Sequence, residues 1–113
     1  MAEFSKSERK ALRELASLVY EADARLALEE LDAEFARWRN GELLGSDLIA
    51  AIHDFHQNDA RVLWSVYQAL KDPEIVARGL ALGLIATEAT EAVSDALRNK
   101  LAPLMSDFNR TLR

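Results

Sequence analysis

The chain has 113 residues, with 14 Lys and Arg against 19 Asp and Glu, a formal charge of −5, half of its residues hydrophobic and no cysteine. This composition suits one ordinary globular helical domain over 1–113. It excludes disulfides, thiolate chemistry and a four-ligand Cys/His zinc site, and it argues against a general nucleic-acid binder, which needs a Lys/Arg excess.

Met1 to Lys10 contain no apolar run of the kind a secretory signal needs, and the longest uncharged stretch, Gly79 to Thr87, falls far short of the roughly 20 residues of a membrane span. The expectation is a cytoplasmic protein without a membrane segment. Only 4 Gly and 2 Pro punctuate the chain; the breaks fall at Asn40-Gly41, Gly45-Ser46, Asp72-Pro73 and Pro103. Ala, Leu, Glu and Arg fill the intervals, and no alternating strand pattern occurs. The expected fold is all-α, a bundle of five to six helices with a long N-terminal helix.

Ser5 or Ser7 caps the first helix, which runs to Arg39 and exits through Asn40-Gly41. At 1.5 Å per residue it measures roughly 50 Å, long against the radius of gyration of about 13 Å for a compact domain of this size. Leu12, Leu15, Val19, Ala22 and Leu26 form one stripe, and Leu28, Leu31, Phe35 and Trp38 form another on nearly the opposite side. No Gly or Pro between Asp23 and Ala27 breaks the helix. One continuous helix is therefore expected, with residues 1–26 as an oligomerisation segment and 28–113 as the globular core. Leu12, Leu15, Val19, Ala22 and Leu26 are then the homodimer interface.

Ser46 caps a second helix to about Gln57, amphipathic through Leu48, Ile52 and Phe55. Asn58 or Asp59 caps a third, to Lys71, whose apolar residues cover more than half its circumference and mark it as central. Asp72-Pro73 opens a fourth, which carries Arg78 as its single charge from Ile75 to Ala86 and should be nearly enclosed. Gly79 and Gly83, one turn apart, permit another backbone to approach. A break at Thr87 to Thr90 precedes a helix with Val93, Leu97 and Leu101, which Pro103 kinks or restarts before Leu104, Phe108 and Leu112. The expected core is Leu63, Val66, Tyr67, Leu70, Ile75, Leu80, Leu84 and Ile85.

His53 and His56, three apart on a helix, form the one histidine pair that can share a metal. Two imidazoles supply half a coordination sphere. Asp54 points away, and Glu42, Asp47 and Asp59 are the nearest other carboxylates in sequence. The all-helical HD phosphohydrolases add an upstream histidine to such a His-Asp pair, and none exists here, so no activity carries over. Glu29 with Asp32, and Glu88 with Glu91, have the spacing that helical pyrophosphatases use for magnesium, and a solvated acidic face explains them as well. Neither a Gly-x-Ser-x-Gly elbow nor a phosphate loop is present. Arg37-Trp38-Arg39-Asn40 is too small a basic cluster for nucleic acid. The chain thus reads as a protein acting through protein-protein association, homodimeric or pairing with another protein, without evident catalytic chemistry or cofactor. The alternative is a metal-assisted hydrolase or sensor holding a divalent metal at His53 and His56.

Overall fold

A computed structural model describes residues 3–86 and 95–111, with side chains in the second stretch as far as Ser106. The described residues are all helical, with no strand among them: α1 Lys6–Arg39, α2 Gly45–Asp54, α3 Arg61–Ala69, α4 Asp72–Ala81 and α5 Asp95–Thr111. A π-helical segment, Phe55–Ala60, joins α2 to α3 without a break. Those two are one rod, so the described residues make four helices and not the five to six expected. Two details explain the difference. Asn58 and Asp59 are absorbed into the wider π turn instead of capping a new helix, and Pro103 lies inside α5, which continues past it. The break expected at 87–90 lies outside the described residues.

The ends of the helices follow from local chemistry. Ser5 Oγ accepts the Glu8 backbone N–H at 3.1 Å while Glu8 Oε1 accepts that of Ser5 at 2.8 Å, the reciprocal capping box of a Ser-x-x-Glu start. At the far end Gly41 takes φ 77°, and Glu42 N–H donates back to Arg37 O at 2.8 Å. Leu84 N–H likewise donates to Gly79 O at 2.8 Å across Gly83 at φ 72°. Gly83 is thus a left-handed exit that stops α4 at Ala81, short of the Ala86 expected, and takes no part in packing.

Contacts divide the chain into two units, Met1–Ala22 with Leu70–Arg113, and Asp23–Ala69. The division falls where the apolar stripe of α1 changes face, although the helix itself is unbroken. In the first unit the core consists of Leu12, Leu15, Ala16 and Val19 of α1, Ile75, Val76 and Ala77 of α4, and Leu97 and Leu101 of α5. Lys100 Nζ reaches Glu8 Oε1 at 2.9 Å and Glu3 O at 2.7 Å, and sits 5.5 Å from the centre of the Phe4 ring, tying α5 to the start of α1.

The second unit is an antiparallel helical hairpin. Tyr67 O–H donates to Asp23 Oδ2 at 3.0 Å near one end, and at the other a Cβ on Gly45 would lie 3.8 Å from Trp38 Nε1. Leu48 is the one buried side chain in this unit. Of the core expected from sequence, Ile75 is buried, whereas Leu63, Val66, Tyr67, Leu70, Leu80, Leu84 and Ile85 are half-buried. Within its own unit α3 pairs with α1 alone and has no fully buried side chain, so by burial it is not the central helix.

Candidate interaction surface

The hairpin leaves large apolar side chains in water. Ile49 is 69% exposed, Trp64 64%, Val62 61% and Leu28 54%, with Ile52, Leu26, Leu44 and Trp38 also exposed. Isolated apolar residues on a surface need no explanation, but a contiguous set marks an interaction site. Leu31 and Phe35 of α1, Leu48 of α2, Phe55 of the π segment and Leu63 and Tyr67 of α3 are half-buried or buried, and they mark the stripe along which each helix of the hairpin faces the other. Measured from those stripes at about 100° per residue, Leu28 of α1 and Ile49, Ile52 and Trp64 of the rod turn the same way. They share one broad face of the hairpin. Val62 and Leu26 turn to the opposite face by the same measure.

Among the five residues expected to form an interface, Leu12, Leu15 and Val19 are buried in the core of their own chain. Ala22 is half-buried and Leu26 is 54% exposed. His53 and His56 are both exposed, His53 in the last turn of α2 and His56 in the π segment, and Asp54, Glu42, Asp47 and Asp59 are exposed as well. No group of three or more His, Cys, Asp or Glu that could hold a metal ion occurs among the described residues. Glu29 pairs with Arg25 at 3.0 Å and Arg37 with Glu34 at 3.3 Å, all four on α1; Asp32 is exposed, and Glu88 and Glu91 lie outside the described residues.

The most structured polar cluster belongs to Glu8, which sequence reading missed as a site, although the Ser-x-x-Glu spacing announces its capping role. The Ser5 backbone N–H, then the Lys100 ammonium and the Ser5 hydroxyl, hold its carboxyl below the ordinary value of 4.5, while desolvation opposes them. The geometry of the cluster is that of a latch between the start of α1 and α5. No helix among the described residues is long and apolar enough to cross a membrane. Comparison with protein families, with curated proteins and with solved structures gives no match.

Proposed function

We propose that the protein acts by self-association, two copies pairing the faces formed by Leu28, Ile49, Ile52 and Trp64 so that two hairpins become a four-helix bundle. The observation that carries this reading is the poor closure of the 23–69 unit, which has one buried side chain against eight exposed large apolar ones. Two helices can bury only the stripe between them, and four-helix bundles bury one on each helix by adding a second layer. A face about 25 Å long and about 20 Å wide offers on the order of 500 Å² per copy, or about 1,000 Å² for the pair, which reaches the lower bound of a specific interface. Two-fold pairing of identical faces is also the commonest form of self-association.

Sedimentation equilibrium of the whole chain tests the proposal. The expected mass is twice the 12.6 kDa of one chain, falling to a single chain in Ile49→Asp with Trp64→Asp while helix content is kept, because a carboxylate buried at an apolar interface is strongly unfavourable. A wild type that stays at one chain up to about 100 µM, where even a weak specific dimer populates, overturns it.

A further inference from the structure

The first unit carries a cleft of about 260 Å³ between the start of α1 and the start of α4. Its apolar lining is Leu12, 1% exposed, with the half-buried Phe4 and Pro73. Its polar lining is Arg9, Arg13 and Lys71 with the carboxylate of Asp72, a charge of +2 in a chain whose total is −5.

Arg25, Arg37 and Arg98 each pair with an acid three or four residues away on the same helix. Arg9, Arg13 and Lys71 make no ion pair among the described residues. What sets these three cations apart is that they line one cleft, since Lys6, Lys10 and Arg39 likewise make no ion pair among the described residues. Arg9 and Arg13 are one helical turn apart, so like charges face each other, an arrangement that is unfavourable until an anion lies between them. Planar guanidinium groups pair with carboxylate or phosphate through two parallel hydrogen bonds, and an ammonium adds a point charge. The cleft is smaller than the roughly 300–1,000 Å³ of sites for drug-sized ligands, and its floor is apolar.

We propose that this cleft binds a small amphiphilic anion, an aryl or short acyl phosphate or carboxylate, its head on Arg9, Arg13 and Lys71 and its body on Leu12, Phe4 and Pro73. The site lies wholly within the first unit, so it stands or falls separately from the hairpin pairing.

Amide chemical shifts of the whole chain, titrated with phenyl phosphate, benzoate, inorganic phosphate and benzyl alcohol, test it. Phenyl phosphate or benzoate should produce saturable shifts at Phe4, Leu12, Arg13 and Lys71 with a Kd below about 1 mM, reasonable for a ligand of this size. Benzyl alcohol, which keeps the body without the charge, and inorganic phosphate, which keeps the charge without the body, should each bind at least about tenfold more weakly. Arg9→Gln with Arg13→Gln should weaken phenyl phosphate about tenfold or more, and Lys71→Gln serves as the second variant on a different segment. Shifts that do not saturate by about 10 mM, an affinity unchanged in both variants, or equal affinity for inorganic phosphate would overturn the proposal.

Discussion

Val19 of α1 and Gly79 of α4 meet with no room between them for one more carbon. A Cβ built on Gly79 would lie 2.8 Å from Val19 Cγ1 and 3.1 Å from Val19 Cβ, and closer still to Cγ2. Val19 is fully buried and β-branched, so its side chain is held to one strongly preferred rotamer and yields only at a cost. Gly79→Ala gains up to about 1 kcal/mol of helix propensity and loses about 1–3 kcal/mol to overpacking. The net expectation is destabilisation, read as a lower urea midpoint. Gly79→Ala should cost less in a Val19→Ala background than in the wild type, and an equal cost in both backgrounds would contradict the crossing.

Leu15→Asp with Val19→Asp separates the core of the first unit from the proposed pairing face of the second. Both residues are buried in the core of the first unit, so the double change should unfold residues 6–22, 70–86 and 95–106, each uncompensated charge costing several kcal/mol. Near-complete loss of cooperative unfolding by calorimetry is expected. A folded single chain instead would return these residues to the interface role that their heptad spacing suggested.

Glu8 makes stability depend on acid. Its carboxyl binds protons less readily when folded than when unfolded, so its contribution is complete at neutral pH, begins to fade as pH falls toward 4.5 and is gone once pH passes below the folded value. Urea midpoints between about pH 3 and 7 should therefore fall more steeply for the wild type than for Glu8→Gln across the acid limb. Parallel curves would show that the Ser5 and Lys100 bonds do not discriminate between the charged and neutral acid.

Tyr67→Phe removes the hydroxyl that reaches Asp23 and keeps the ring. The loss should be about 1 kcal/mol, appearing as faster amide exchange in the hairpin and not in the first unit.

Substitution of both His53 and His56 by Ala should move the urea midpoint by less than about 0.5 kcal/mol in equivalent stability, as for other exposed positions. A variant that fails to self-associate where the wild type does would instead place the end of α2 at the proposed interface.

The extent of α1 was legible because its signals are local: a serine cap at Ser5 or Ser7, a glycine exit at Gly41 and no breaker between them. The change of apolar face near Asp23 was equally plain in the periodicity. Burial was not legible, because a helical wheel counts apolar positions and not the neighbours that cover them, so α3 with Trp64 and Val62 read as central. Gly83 read as a packing residue because Leu82, Leu84 and Ile85 continue the apolar run around it. The Lys100–Glu8 pair joins positions too far apart in sequence for any spacing rule, and so do Lys71 and Arg13 across their cleft. The histidine pair was visible by spacing, which places two ligands on a face without supplying the third.

The division of the chain also sets an order of events during synthesis. The hairpin of 23–69 is contiguous, whereas the first unit is split around it. At translation rates of about 5–20 residues per second, roughly 2–7 s pass between the emergence of Ala69 and that of Ser106. For that interval Leu12, Leu15 and Val19 have neither α4 nor α5 to pack against, while both helices of the hairpin are already made. The nascent chain therefore carries its least enclosed part in finished form before its best-packed core can close, and the ribosome-bound stage is when its apolar surface is greatest.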